Sequence, residues 1–135
     1  KKRNMADTVT LLSTNTFSNS ATLQSEKAKG DAYFGTSDGL HTVMIDLNDF
    51  IGTIKIQGSL ADDPAETDWF DADLSNDEYA VDTTGKVTDV VVDELAYTLA
   101  ETSKRSYNTI GNFVWLRADI SNWTAGTITR IELNR

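Results

Sequence analysis

A twelve-residue segment that begins at Asp71, DADLSNDEYAVD, has part of the carboxylate spacing of a calcium-binding loop. Asp71, Asp73, Ser75 and Asp77 fall on alternate positions, and Asp82 occupies the twelfth position, where such loops place a bidentate acid. The sixth position is Asn76 rather than glycine, and the flanking residues do not predict helices. The four aspartates are therefore calcium candidates by an incomplete motif. The alternative interpretation is a solvated acidic loop, with no resident metal.

Catalytic chemistry has few candidates in this chain. His41 is the only histidine, and there is no cysteine. No serine lies in a nucleophile-elbow context and no glycine-rich loop could cradle a phosphate, so His41 has no evident nucleophile to activate. We predict that the protein is not an enzyme, that it uses no cofactor, and that His41 has a structural or surface role.

Three tryptophans could stack on sugar rings. Trp115 lies in the apolar run Phe113–Leu116, which predicts a core position. Trp123 falls in a predicted turn and is the ring expected to be exposed, while Trp69 precedes Phe70 at an expected sandwich edge. Trp69 and Trp123 are therefore candidate glycan contacts. An exposed aromatic platform would favour a carbohydrate-binding module, whereas three buried rings would count against one.

The negative charge is concentrated in one segment. The net charge is −9, yet residues 61–85 contain nine acids and no lysine or arginine, so the remaining residues balance at twelve acids and twelve bases. Such a field repels phosphate, which argues against direct nucleic-acid binding, and a membrane-surface segment would be basic. Lys1, Lys2 and Arg3 begin a predicted N-terminal arm, residues 1–7, that could dock on an acidic neighbouring subunit.

Short β-prone segments separated by turn residues occupy most of the chain. They predict an all-β fold, an antiparallel β-sandwich of jelly-roll type with about eight strands, formed by residues 8–135 with an acidic loop at 61–85. A helix over Asp89–Glu101 is the competing interpretation of one segment. The expected strands are Thr8–Thr14, Ala21–Lys27, Ala32–Phe34, His41–Leu47, Phe50–Leu60, Lys86–Asp93, Phe113–Ile120 and Thr127–Leu133, and Tyr97–Thr102 is left unassigned.

Details of the last strands and the core follow from side-chain alternation. A turn centred on Ser121–Gly126 is predicted to join the last two strands, and a bulge near Thr129 would bring Ile128 onto the face of its apolar neighbours. Arg117 is expected to form an exposed pair with Glu132 or with an acid near Asp119. The predicted core comprises Ile45, Leu47, Ile54, Ile56, Val90, Val92, Val114, Leu116, Ile131 and Leu133.

Residues Phe50–Phe70, FIGTIKIQGSLADDPAETDWF, combine a strand, a Gly58-Ser59 corner, an acidic loop and a closing Trp-Phe pair. This pattern resembles a repeating unit of virion proteins from tailed bacteriophages, and Gly111–Leu133 resembles the closing hairpin of the same domains. The resemblance implies a non-enzymatic structural protein of the phage particle, most simply a capsid decoration or cement subunit. Tail, neck, baseplate or fibre components, with or without binding of a host carbohydrate, are the alternative.

The same resemblance implies the partners. Other virion proteins, namely major capsid or tail proteins, would be the neighbours of this chain. A homo-oligomer is expected as well, because the edge strands of a sandwich must be paired, covered or charged. Neither nucleic acid nor a membrane is expected as a direct partner.

Overall fold

The computed structural model describes residues 8–35 and 39–135, without the side chains of residues 77–79 and 89. The predicted all-β antiparallel sandwich is confirmed. No helix among the described residues is long and apolar enough to cross a membrane. The strands are β1 (Thr8–Leu12), β2 (Asn15–Thr16), β3 (Leu23–Gln24), β4 (Ala28–Lys29), β5 (Leu40–Ser59), β6 (Phe70–Asp71), β7 (Leu74–Val81), β8 (Val87–Val92), β9 (Leu95–Ile110) and β10 (Trp115–Asn134).

All ten strands belong to one hydrogen-bonded sheet with the order β1-β10-β5-β9-β7-β8. The short strands β2, β3 and β4 follow β1 along the same outer edge of β10, and β6 pairs with the end of β5. There are ten strands rather than the predicted eight, because four of them, β2, β3, β4 and β6, are separate segments of only two residues. Ala32–Phe34, predicted as a strand, lies in a 3₁₀ turn at Asp31–Phe34. The helix considered for Asp89–Glu101 is absent, because β8 and β9 occupy that segment.

Strand β5 changes the side that it buries at its midpoint. His41, Val43 and other odd positions are buried up to residue 47, whereas Phe50, Ile54 and other even positions are buried beyond it. Between the two halves, Asp49 has a φ of 52°. A bulge of this kind bends a strand and shifts its alternation by one residue. The two strands predicted at 41–47 and 50–60 are therefore one bent strand of 20 residues.

Strand β10 bends beside it. The predicted turn at residues 121–126 is wrong, since β10 runs without reversal from Trp115 to Asn134, with register shifts between Ser121 and Thr127. Asn122 and Gly126 have φ values of 51° and 87°, and this left-handed backbone serves a bulge rather than a chain reversal. The predicted bulge near Thr129 is confirmed by a register shift between Ile128 and Arg130.

The two bends are in direct backbone contact. A Cβ atom added to Gly126 would overlap the carbonyl oxygen of Asp49 and lie 2.6 Å from the Cα of Phe50. On the inner side, the Trp123 ring packs 5.8 Å from that of Phe50 and 6.1 Å from that of Phe17, measured between centroids. Because glycine has no side chain at residue 126, β5 and β10 can bend together around one aromatic cluster.

Phe113 connects the two ends of β5. Its ring lies 5.4 Å from that of His41, between centroids, and a Cβ on Gly58 would lie 2.5 Å from its Cδ1 atom. A flat strand would separate residues 41 and 58 by about 55 Å, at about 3.3 Å per residue. The sheet is therefore folded over on itself, and both halves contribute to one hydrophobic core.

Most of the predicted core is confirmed. Seven of the ten predicted residues are buried, all of them on β5 and β10. Val90 and Val114 are half-buried, and Val92 is 36% exposed. Val90 and Val92 lie on β8, the last strand in the sheet order. Among the described residues no strand pairs with the far edge of β8, so these two valines are less covered than the rest of the predicted core.

We expect Gly126→Ala to lower the free energy of unfolding by about 3 kcal/mol or more, because the new methyl group must displace the Asp49 backbone. Gly85→Ala is the matched control, since Gly85 has a similar φ of 86° but open space around it. That variant should lose only about 1 kcal/mol, the cost of left-handed backbone. Urea denaturation measures both; equal losses would show that the crossing is not tightly packed.

Candidate interaction surface

The outer face of the second half of the sheet carries a ladder of polar side chains. Arg117 lies opposite Gln57, which in turn lies opposite Asp71, and Asp119 lies opposite Lys55. Cross-strand neighbours point to the same face, so these five side chains share the surface that faces away from the core. Residues 60–71, which join β5 to β6, lie against this surface and are called the acidic strap below.

Arg117 attaches the acidic strap to the sheet. Its Nε donates to Gln57 Oε1 at 2.8 Å, and its two terminal nitrogens donate to the Glu66 carboxylate at 3.4 and 3.2 Å. The guanidinium lies over the Trp69 ring, 4.3 Å from its centroid. Arg117 is only 8% exposed, so the expected surface pair with Glu132 or near Asp119 is wrong. Its partner comes from the strap, which strand alternation could not predict.

A second polar contact holds the end of the strap. Asp71 accepts hydrogen bonds from Lys55 Nζ at 3.2 Å and from Gln57 Nε2 at 3.1 Å. Burial opposes the charged form of Asp71, but the hydrogen bonds from Gln57 and Lys55 outweigh it and lower the pKa of Asp71. The hydrogen bond to Asp71 raises the pKa of Lys55. Gln57 thereby links Lys55, Asp71, Arg117 and Glu66 into one network.

Hydrogen bonds to its backbone hold the middle of the strap in place. The Trp115 indole nitrogen donates to the Asp62 carbonyl at 2.8 Å, and the Asp68 carboxylate accepts from the Ala65 amide at 2.8 Å. The carboxylates of Asp62 and Asp63 remain exposed. Among the described residues neither has an ion-pair partner, because the salt bridges of the strap involve Glu66 and Asp71. The strap thus presents carboxylates from an ordered backbone.

A shallow groove of about 370 Å³ runs beside the strap. Trp69, Glu66 and Arg117 form one side, and Gln24, Glu26 and Lys27 lie on the other. The Lys27 ammonium lies 4.9 Å from the centroid of the Trp115 ring. The walls are charged and polar, which is typical of a surface that meets another polar surface.

The tryptophans do not form an open platform. Trp123, the ring predicted to be exposed, is 3% exposed in the aromatic cluster and donates from its indole nitrogen to the Ala125 carbonyl, so that prediction is wrong. Trp69 is half-buried with one face under Arg117. Trp115, predicted as core, is also half-buried, with Lys27 over its ring. Glycan stacking on Trp69 or Trp123 would require these contacts to be displaced.

The calcium candidates do not converge. Asp71 and Asp82 lie beyond opposite ends of β7, whose eight residues span about 26 Å when extended. Asp82 accepts from the Thr84 hydroxyl and from the amides of Lys86 and Thr84, and so closes the β7–β8 turn; these hydrogen bonds, first that from the hydroxyl, lower its pKa. Asp73 is exposed, and the side chain of Asp77 lies outside the described residues. Within the described part of the chain no three metal-ligating side chains cluster.

His41 has a structural position. It is fully buried; its Nε2 accepts from the Asp31 amide at 3.1 Å, and its Nδ1 donates to the Gly39 carbonyl at 2.9 Å. This arrangement connects the start of β5 to the 3₁₀ turn at residues 31–34 and agrees with the structural role expected for the histidine.

A second cavity, of about 360 Å³, lies between the β7–β8 hairpin and β9. Tyr97, Tyr107, Glu101 and Arg105 line part of it. Burial, together with a hydrogen bond to Tyr107, raises the pKa of Tyr97, so its hydroxyl stays protonated at neutral pH and is a poor general base. Lys1, Lys2 and Arg3, predicted to dock neighbouring subunits, lie outside the described residues.

Comparisons with known proteins give no relative: no family model matches the chain, and neither a curated protein nor a solved structure matches it.

Replacing Arg117 tests how the strap is held. We expect Arg117→Met to lower the free energy of unfolding by about 2 kcal/mol, since it removes charged hydrogen bonds to Gln57 and Glu66. Arg130→Met is the matched control, because Arg130 is 46% exposed and its nitrogen lies 3.6 Å from Glu132. It should cost less than about 0.5 kcal/mol. Tryptophan fluorescence should shift to the red only in Arg117→Met; an unchanged spectrum would contradict the stacking of Arg117 on Trp69.

Asp71 should contribute to acid sensitivity. A lowered pKa means that its charged form stabilises the folded state above pH 3.8, the ordinary value, and that this stability is lost as the pH falls through the pKa of the folded state. In Asp71→Asn the free energy of unfolding should therefore fall less steeply than in the parent chain as the pH drops below about 4. The difference should be well under about 1 kcal/mol, because the Asp71–Lys55 pair is partly exposed. Asp73→Asn controls for the change in net charge. A steeper profile for Asp71→Asn would reverse the assignment.

Proposed function

We propose that this protein is a non-enzymatic structural subunit of a tailed-phage virion, most simply a capsid decoration or cement protein. The support is the unit at residues 50–70, on which the resemblance to virion proteins rests. Its strand, Gly-Ser corner, acidic loop and aromatic close correspond to the end of β5, the acidic strap and its return through β6 onto Gln57 and Gly58.

The observation that carries the proposal is the ordered acidic strap. A loop that served only for solubility would not need a buried arginine, a tryptophan and a lysine–aspartate pair to fix its backbone. Fixed, unpaired carboxylates at Asp62 and Asp63 are suited to a repeated basic surface, because a preorganised charge loses little conformational entropy on binding. The occupant we propose is therefore a basic patch of a neighbouring virion protein, such as a major capsid protein.

A tail, neck, baseplate or fibre component would use the same surface, and this remains the alternative location. Binding of a host carbohydrate is less supported, because the tryptophan faces are engaged by Arg117, Lys27 and Phe50. Lys1, Lys2 and Arg3 supply the opposite charge, so the basic arm of one subunit could meet the strap of the next. Such contacts would be screened within about 10 Å at 0.1 M salt.

Binding to particles that lack this subunit tests the proposal. We expect the purified chain to bind such heads at low salt, and the Asp62→Asn/Asp63→Asn variant to bind at least about fivefold more weakly, with a smaller salt dependence. The Ser13→Lys/Ser18→Lys variant changes the net charge by the same amount, at exposed positions that follow β1 and β2. It should bind like the parent chain.

Co-sedimentation of labelled protein with heads and with isolated tails measures the binding. Association with tails alone would move the subunit to the alternative location. Association with neither would contradict the proposed function, as would equal weakening by the two double variants, since binding would then follow net charge rather than the strap.

A further inference from the structure

Strand β9 is bent, and the β7–β8 hairpin lies across the bend. Residues 93 and 94 alone join the end of β8 to the start of β9, a link of at most about 11 Å. The end of β8 pairs with the start of β7, which in turn pairs with β9 at Asn108. With about 5 Å for each strand spacing, these steps allow at most about 25 Å between Leu95 and Asn108. A straight β9 would separate them by about 43 Å, at about 3.3 Å per residue.

A bulge accounts for this bend. Two steps along β5, from Phe50 to Gly52, lie against four steps along β9, from Glu101 to Tyr97. Extra residues of this kind bend a strand. The bend lies beside that of β5, because the Tyr97 ring packs edge-on against the Phe50 ring at 5.9 Å between centroids. The cavity of about 360 Å³ between β9 and the β7–β8 hairpin is called the tyrosine cavity below.

The tyrosine cavity has a fixed apolar part. Leu74 and Tyr107 line it and are 1% and 7% exposed, and Val90 contributes a half-buried side chain from β8. Tyr97 comes from the other side of the β9 bulge. Its hydroxyl stays protonated at neutral pH, because burial and the hydrogen bond to Tyr107 raise its pKa. A protonated phenol can accept a hydrogen bond as well as donate one.

Charged side chains of both signs line the same cavity. Nε of Arg105 lies 3.9 Å from Oε2 of Glu101, which is longer than a hydrogen bond, so this pair keeps hydrogen-bonding capacity for a ligand. Glu94 adds a further carboxylate. The described lining residues therefore supply two carboxylates, one guanidinium and two tyrosine hydroxyls.

These groups indicate the class of ligand. A purely apolar ligand would remove Arg105 and the tyrosine hydroxyls from water without replacing their hydrogen bonds. An anion would meet two carboxylates, and a cation would meet the guanidinium. A neutral molecule rich in hydroxyl groups can donate to the carboxylates and accept from Arg105, while its CH groups contact the valines.

We propose that the tyrosine cavity binds a neutral saccharide of one or two rings. The volume lies at the lower end of the range of ligand pockets, which fits a ligand of this size. The site uses none of the tryptophans, whose rings are already covered by other side chains, and it shares no residue with the acidic strap. It does not depend on the proposed virion role.

Titration of the full chain, followed by ¹H–¹⁵N correlation spectra, tests the site. The probes are the methyl glycosides of glucose, galactose and mannose. Glucuronic acid and glucosamine serve as charged sugars of similar size, and cyclohexanol as an apolar ring. We expect at least one glycoside to bind with a Kd of about 1–10 mM, as for a ligand of few atoms, and to shift the amides of Tyr97, Tyr107 and Val90. The charged sugars and cyclohexanol should bind at least about fivefold more weakly.

Variants of β8 and β9 locate the binding. Val90→Trp fills the cavity and should weaken binding about tenfold or more. Val91→Trp is the matched control, because Val91 is 51% exposed and points to the opposite face of the same strand. It should bind like the parent chain. Arg105→Met keeps most of the side-chain volume and should weaken binding at least about fivefold, through lost hydrogen bonds.

No shift with any of the three glycosides at about 50 mM would overturn the proposal. So would shifts at the Trp69 indole instead of the cavity amides, equal weakening by Val90→Trp and Val91→Trp, or tighter binding of a charged sugar or of cyclohexanol. Circular dichroism shows whether each variant folds, and the comparison of ligands on the parent chain stands even if Val90→Trp does not. Particle binding through the strap is a separate measurement, so a failure here leaves it unchanged.

Discussion

The fold depends on the close backbone contact where β5 and β10 cross, at Asp49 and Gly126. Two 20-residue strands laid flat would expose one whole side of the sheet to water. Bending both at the same level turns that side inward, and Trp123, Phe50 and Phe17 fill the bend. The carbonyl oxygen of Asp49 occupies the space of a side chain at residue 126, so only glycine permits this approach.

The bend also determines what the outer surface can do. Once the even positions of the second half of β5 are buried, Lys55 and Gln57 must face outward, where the acidic strap covers them. Burial of Arg117 beneath the strap is stabilised only because Gln57, Glu66 and Trp69 together satisfy its guanidinium. The ordered carboxylates are therefore a consequence of the same change in alternation that closes the core.

Side-chain alternation predicted the all-β class, most of the core and the bulge near Thr129, because these follow from local sequence. It could not distinguish a turn from a bulge at residues 121–126, since Asn122 and Gly126 supply left-handed backbone that suits both. Placing Trp123 at the surface followed from that error. The partner of Arg117 was also beyond local reasoning, because Glu66 lies 51 residues away in sequence and reaches it only through the fold.

The central claim, a sheet folded over on itself at the β5–β10 crossing, is tested most directly by the distance between the two ends of β5. Leu40 and Leu60 are exposed, and the chain has no cysteine, so spin labels on an L40C/L60C variant would report this pair alone. Electron–electron double resonance should give one distance distribution below about 30 Å. A flat strand would give a distance near about 65 Å, at about 3.3 Å per residue, and that result would contradict the account.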